Sequence, residues 1–421
     1  MNMGIRIQPS EDDFRTLRES GAYYVDKTEI IAEYLDLHFE RAVMFARPRR
    51  FGKTLTMTMF RDFLDIRQDS REIFSGLKIM EHSDVVRKCM NQYPVIFLSL
   101  KGISGETFEN VLQKMRVEIS KVCEEHRYLM ESPEVSPAWK AQFDRLINQA
   151  AAQANTEQAL DLIAKMLNAH FGKPAFVIID EYDVPMAKAY GSEFYEQVRD
   201  MIEQMLSYVC KTNSSVKAVM LSGCLYTMNN SAYTGVNNVK LYSVLSPLYA
   251  SCIGFTEANV QKLLMDAGIS ECYDITTEWY GGYYFGRDRM YCPWDVLSFV
   301  KSKLDGSFSD KMGPESYWIN TSSTTQNWIH GLLGKTPEAN ECIEKLLAGD
   351  AVECIINEHV PYHEIHENGE NLWLVLLETG YLTKGTPDKM RIMPLRIPNR
   401  EMQDVFRREI WQHIKTEVDD D

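Results

Sequence analysis

Apolar residues along this chain fall into two kinds of run. Short runs dominated by apolar residues occur at "RAVMFA" (41–46), "YPVIFLSL" (93–100), "KPAFVIID" (173–180) and "SVKAVMLSG" (215–223). Between them, apolar positions recur every three or four residues. Leu55, Met59, Phe60, Phe63 and Leu64 form one such set, and Phe108, Leu112, Met115 and Ile119 a second. Phe194, Val198, Met201, Ile202 and Met205 form a third. The first kind of run predicts buried strands, the second amphipathic helices. Helices are also expected around 137–150 and 156–169. Strands of this kind, alternating with helices, predict an α/β fold with a parallel sheet covered by helices.

The pattern changes after about residue 255. "TEANVQKLLMDAG" (256–268) reads as a helix, and "YGGYYFG" (280–286) as a turn region. "CPWDVLSFVKSKL" (292–304) reads as a helix with proline in its first turn. A helix at 338–347, short strands near 352–360 and 390–397, and an amphipathic helix at 399–416 complete the reading. The expected organisation is an α/β domain over 1–255 followed by a mostly helical α+β region over 256–421. No internal repeat or low-complexity linker interrupts it.

Composition narrows the function classes. The net charge is −15, which argues against a general nucleic-acid binder, whose footprint is basic. Arg41, Arg47, Arg49, Arg50, Lys53 and Arg61 nevertheless crowd one stretch, and a local positive cluster on an acidic chain suits a small polyanion such as a nucleotide. Nine scattered cysteines without a CxxC pair look like reduced thiols. There is no apolar run of about 18 residues and no cleavable leader pattern. The expected location is therefore cytoplasmic, with no membrane partner.

The candidate chemistry begins at "FARPRRFGKT" (45–54). A phosphate-binding loop leaves a strand, turns, and enters a helix whose N–H groups cradle phosphate. Gly52-Lys53-Thr54 stands where such a loop ends. The pattern GxxxxGK[ST] asks for glycine at 47, where this chain has Arg47. The spacing alone leaves two readings open: a nucleotide loop, or a basic helix N-terminus without a ligand. Arginines there oppose the helix dipole, so an anion is wanted to justify them.

The strand "FVIID" ends in Asp180-Glu181. Such an aspartate can hold Mg²⁺, and the glutamate can polarise the attacking water. A strand ending in acid is common by itself, but after a Gly-Lys-Thr loop in the same α/β pattern it favours nucleotide binding. Ser222, after the next strand, could orient the water or sense the γ-phosphate. His359, His363 and His366, with Glu358 and Glu364, could suggest a metal site, but Pro361 breaks the helical spacing. The tyrosine-rich 280–286 segment reads better as packing than as a base-stacking platform.

"YYVDKTEII", "RPRRFGKT", "VIIDEYDVP", "FTEANV", "WYGGYYFG", "CPWDVLSF", "YWINTSS", "LLETGYLT" and "LRIPNREMQDVF" occur in this order. With these motifs the chain resembles the bacterial AAA-ATPase-like family over nearly its whole length. Members often carry a PD-(D/E)XK nuclease-like domain after this region, and no signature of one is read here. In the family the loop takes the form Arg-Pro-Arg-Arg-Phe-Gly-Lys-Ser/Thr, so the arginine at 47 is a family trait.

The resemblance implies a P-loop core binding ATP and Mg²⁺. Arg47, Pro48, Arg49, Arg50, Phe51, Gly52, Lys53, Thr54, Leu55 and Ser222 are then the expected nucleotide contacts. Thr54 and Asp180 would hold the metal, and Lys53, Asp180 and Glu181 the catalytic roles. Asp26, Lys27 and Thr28 either approach the nucleotide or cap a helix starting at Glu29. Such proteins often form rings with an arginine finger in trans, so a homo-oligomer or a protein partner is expected. Two departures stand out: Ser222-Gly223-Cys224-Leu225-Tyr226 lacks the usual arginine, and Gly281 replaces the commoner aspartate. The first leaves a second function open, a switch or scaffold that holds ATP without turnover.

Overall fold

A computed structural model describes residues 5–225, 238–308, 313–318, 329, 332–333, 339–358, 360, 368–385 and 392–408. It divides into two compact units that are not contiguous in sequence. The first comprises residues 1–27, 46–55 and 242–421, and the second residues 28–45 and 56–241. The segment carrying Arg47 to Leu55 therefore belongs with the C-terminal part of the chain.

The second unit is built on a five-stranded sheet of order β2-β3-β4-β1-β5. Its strands are β1 (Ala42–Ala46), β2 (Val95–Ser99), β3 (Ala175–Asp180), β4 (Val216–Gly223) and β5 (Lys240–Tyr242), the last residues of β1 and β5 passing into the first unit. β3 pairs in parallel with both β2 and β4. β1 and β3 are buried along their full length, which is why their sequence is apolar throughout rather than alternating. The helices Phe108–Glu125, Pro137–Ile147, Ala159–Phe171 and Tyr195–Cys210 pack on one another and on β2, β3 and β4.

Local chemistry sets the ends of these helices. Thr107 caps the first, its side chain accepting from the Asn110 N–H. Ser136 caps the second ahead of Pro137, and Gly172 ends the third in the left-handed conformation, φ +66°. The parallel α/β arrangement agrees with the sequence reading. Between 65 and 92 that reading assigned nothing, and the structure holds the short helices Arg71–Phe74 and Ser83–Cys89. Segments of four and seven residues are too short to display a helical period.

The first unit contains two antiparallel three-stranded sheets. In one, β8 (Asp288–Tyr291) lies between β6 (Phe255–Thr256) and β7 (Tyr283–Phe285). In the other, β11 (Ile392–Arg396) lies between β9 (Val352–Ile355) and β10 (Thr383–Lys384). Thus 280–286 is half strand: β7 turns into β8 through Gly286, whose φ of +52° a hairpin of this length requires. Helices Glu257–Asp266, Tyr273–Tyr280 and Pro293–Asp305 enclose a core of Val260, Leu263, Leu264, Tyr280, Tyr291, Val296 and Phe299. Thr256 and Asn259 form a reciprocal capping box on the first of them. The helix expected at 399–416 is present as Arg400–Phe406, and residues 409–416 of that range lie outside the described residues.

Candidate functional site

The loop of the first unit leaves β1 and ends where the helix Lys53–Leu64 starts. Positive φ falls at Arg50 (+66°) and Gly52 (+93°), not at residue 47. The backbone therefore makes no demand for glycine at 47. Glycine at 52 is required by conformation, since that φ strains any residue with a β-carbon.

Arg47 is completely buried. Its Nη1 donates to the carbonyls of Ala46 (2.8 Å) and Tyr242 (2.9 Å), and its Nη2 to that of Tyr249 (2.8 Å). The guanidinium lies over the Phe285 ring, 5.3 Å from its centroid. Burial pushes its pKa down to about 10, partly offset by Glu378. It stays charged at neutral pH, and these three hydrogen bonds go to the protein's own carbonyls.

The neighbouring residues are also held within the first unit. Phe51 packs edge-on against Tyr283, 5.1 Å between centroids, and at a tilt of 48° against Phe285, 5.0 Å between centroids. Gly254 makes room for it, because a β-carbon there would lie 2.9 Å from the Phe51 ring. A β-carbon at Gly380 would similarly fall 2.8 Å from Pro48. These glycines explain the "LLETGYLT" motif and the glycine of "CIGFTEANV" as sites where the loop is approached closely. Lys53 is nearly buried, and its Nζ donates to the Arg47 and Pro48 carbonyls at 2.9 and 3.0 Å. Arg49, Thr54 and Leu55 are half-buried.

Asp180, Glu181 and Ser222 belong to the second unit, on the ends of the neighbouring strands β3 and β4. Asp180 is buried and accepts a short hydrogen bond from the Ser222 hydroxyl. The same Ser222 oxygen accepts from the Glu181 N–H at 3.2 Å. Glu181 itself sits at φ +53°, a strained conformation for a residue with a β-carbon, as is common where a side chain must be aimed. The three expected residues are thus brought together.

Sequence reasoning missed a fourth. Asp183, nearly buried, accepts through Oδ2 from the N–H groups of Cys224 (2.8 Å) and Leu225 (3.1 Å). Tyr182 donates its hydroxyl to the Leu225 carbonyl at 2.7 Å. A β-carbon on Gly223 would come within 2.8 Å of both Asp183 Oδ1 and the Tyr182 ring. The segment "DEYD" therefore clamps the turn that follows β4, and the second aspartate of that tetrapeptide was the available signal.

The other flagged residues fall elsewhere. Lys27 donates to the Ser251 carbonyl (2.8 Å) and to Asn259 Oδ1 (2.5 Å) within the first unit. Thr28, at the start of the helix Glu29–Ala32, makes no side-chain cap and accepts from the Ile79 N–H. At Gly281 a β-carbon would lie 2.7 Å from the Thr277 carbonyl and from the Tyr291 ring, so this chain has no room for the aspartate common in the family. His359, His363, His366 and Tyr226 lie outside the described residues. Among the described residues no cluster suited to a metal ion occurs, and no helix is long and apolar enough to cross a membrane.

The profile of the predicted AAA-ATPase family matches residues 10–232, which include the loop, the Asp180 strand and Ser222. The chain belongs to that family. It is similar to an uncharacterized protein in the vnfD 5′ region of Azotobacter chroococcum mcd 1. The two are 25% identical over 397 residues, covering 93% of this chain and 67% of the relative. A solved structure of the Aeropyrum pernix ORC2 protein, in ADPNP–ADP complexes, aligns over 96% of both chains with 11% identity and a TM-score of 0.38.

Proposed function

We propose that the protein binds ATP with Mg²⁺ and hydrolyses it, the phosphate loop being carried by the unit of residues 1–27, 46–55 and 242–421. One observation carries most of the reading: a buried strand passes through a loop, with glycine at positive φ, into a helix whose first residue is a lysine. That is the backbone a phosphate-binding loop needs. Lys53 and the N–H groups of Gly52 to Leu55 take the β- and γ-phosphates in this reading.

The hydroxyl of Thr54 and the carboxylate of Asp180 are the hard oxygen donors that Mg²⁺ prefers, and the bound ion would supply charge neutralisation at the phosphates. Glu181 holds the attacking water and takes its proton, and Ser222 keeps Asp180 and Glu181 in register through its shared oxygen. Catalysis of this type is mostly positioning and charge stabilisation. A homo-oligomer or a protein partner is the expected setting.

Calorimetric binding and turnover with purified protein test this reading. K53A is expected to lose ATP binding. E181Q is expected to bind ATP while turnover falls at least about 100-fold, the usual worth of a general base. If the parent binds ATP and turns nothing over, the chain is a nucleotide-holding switch. If it binds no nucleotide, the site assignment fails.

A further inference from the structure

Arg50 is the one loop residue with a β-carbon at positive φ, so other groups must hold it there. Its guanidinium lies over the Trp294 ring, 4.4 Å from the centroid. It donates through Nη1 to the Tyr317 carbonyl in a short hydrogen bond, and its own carbonyl accepts from Cys292 Sγ at 3.7 Å. The peptide that receives Arg50 is gripped from behind. Glu401 Oε1 accepts from the N–H of Trp318 at 2.8 Å and from that of Tyr317. Glu401 is completely buried, and so, very nearly, is Asp295 in the first turn of Pro293–Asp305.

Asp295 Oδ1 and Oδ2 and Glu401 Oε2 meet no N–H or O–H donor of the protein. The two carboxyls lie within hydrogen-bonding reach of each other. Two buried carboxyls in that position are satisfied when one keeps its proton and donates it to the other. Burial pushes both up, Asp295 to about 6 and Glu401 well above the carboxylate range, while hydrogen bonds with Cys292 and Glu401, and then the charge of Arg50, draw Asp295 back down. Cys292, Tyr280 and Tyr283, which also face the pair, are pushed up by burial and stay neutral. The pair with its single proton thus carries one negative charge opposite one guanidinium.

We propose that Glu401 and Asp295 are positioning residues for the phosphate loop, acting through Arg50: they anchor the Tyr317–Trp318 peptide, and that peptide together with Trp294 fixes the loop conformation from which Gly52 to Thr54 meets a nucleotide. This rests on the nucleotide-binding reading above. It gives a task to "CPWDVLSF", "YWINTSS" and "LRIPNREMQDVF", three motifs that the phosphate chemistry leaves unexplained. Arg50 is in this account a tether of the loop to its own unit.

The test is a double-mutant cycle in the full chain. R50A, E401A, R50A/E401A and E401Q are compared for the Kd of ATP with Mg²⁺, and for amide hydrogen exchange of residues 46–55 without nucleotide. R50A and E401A should each weaken binding about tenfold, and the double variant should be no weaker than about twice the weaker single, because coupled residues are not additive. E401Q keeps an acceptor for the two N–H groups and offers Asp295 a donor, so it should bind within about threefold of the parent. Loop exchange should quicken in R50A and E401A and stay at the parent rate in E401Q.

Losses that multiply in full overturn the proposal, as does E401A with parental Kd and loop exchange. If the parent binds no nucleotide, the functional reading has failed and loop exchange alone decides this one. Asp295→Ala serves as the second perturbation should E401A not fold, with the same expected result and the same refutation.

Discussion

Arg47→Met tests what the arginine in place of the loop's opening glycine is for. Methionine keeps the unbranched apolar stem of the buried side chain and removes the guanidinium with its charge and donors. Three hydrogen bonds at 2.8–2.9 Å to the carbonyls of Ala46, Tyr242 and Tyr249 are lost. Bonds from a charged group are worth roughly 1.5–3 kcal/mol each, but much of that sum offsets the cost of burying the guanidinium, the same cost that lowers its pKa to about 10. What remains is the cost of leaving buried carbonyls without their donor, about 1–3 kcal/mol each, so the net loss is about 3 kcal/mol or more. For a unit of this size that lowers Tm by on the order of 10 °C. Arg47→Gly, which writes the standard loop pattern, should lose at least as much, because the packing over Phe285 goes too. Thermal melts without nucleotide, followed by ATP affinity well below the transition, separate the two roles. If Arg47→Met melts within about 2 °C of the parent while ATP affinity drops more than about tenfold, Arg47 is a nucleotide ligand and the structural account is refuted.

Three further outcomes are expected. Gly223→Ala forces a β-carbon to 2.8 Å from Asp183 Oδ1 and Tyr182; overpacking of this kind costs about 1–3 kcal/mol and should slow ATP turnover more than it weakens binding, read as a kcat against KM split. Gly281→Asp, which introduces the family's commoner residue, meets the Thr277 carbonyl and Tyr291 ring at 2.7 Å, and a denaturant midpoint should report a loss of about 1–3 kcal/mol. Glu203, nearly buried in Tyr195–Cys210, has its carboxyl pushed up to about 7 by burial. A raised folded pKa means that the folded state holds a proton the unfolded chain has released, so this contribution is present below about pH 4.5 and is lost as pH rises through about 7. Glu203→Gln should therefore gain Tm relative to the parent between pH 5 and 8, and equal slopes would refute it.

The sheet and its helices were legible because burial on both faces writes itself into composition. β1 and β3 are buried at every position, so no other reading of "AVMFA" and "AFVIID" suits them. Asp180, Glu181 and Ser222 were legible for a related reason, as polar residues at the ends of apolar strands. Asp183 was not, since its role depends on the turn after β4, which is 41 and 42 residues away at Cys224 and Leu225. The hairpin of β7 and β8 was read as a turn because its strands have three and four residues, too few to show alternation. The two-unit division was out of reach altogether. Nothing local in "FARPRRFGKTL" says that it belongs with residues beyond 242.

That division changes what the basic loop means. In the sequence Arg47, Arg49 and Arg50 form one cluster of positive charge suited to an anion. In the structure Arg47 and Arg50 have separate partners, and Arg49 beside them is half-buried. Arg47 is buried against backbone carbonyls, and Arg50 grips the Tyr317 carbonyl over Trp294. Both spend a permanent charge on holding the loop's shape, which lysine, lacking the planar fork, would do less well. A phosphate-binding loop normally relies on small residues to bring its backbone close to phosphate. This one anchors a bulky loop from behind with guanidinium groups and has positive φ at both Arg50 and its one glycine, Gly52. Among the described residues five other than glycine have positive φ, Arg50, Asn91, Gln149, Glu181 and Tyr249, and a named neighbour holds each of the two in the candidate site: the Tyr317 carbonyl for Arg50, the Ser222 hydroxyl for Glu181. Strained backbone persists only where the surroundings over-determine it, and these two positions are the ones that the ATPase reading needs held still.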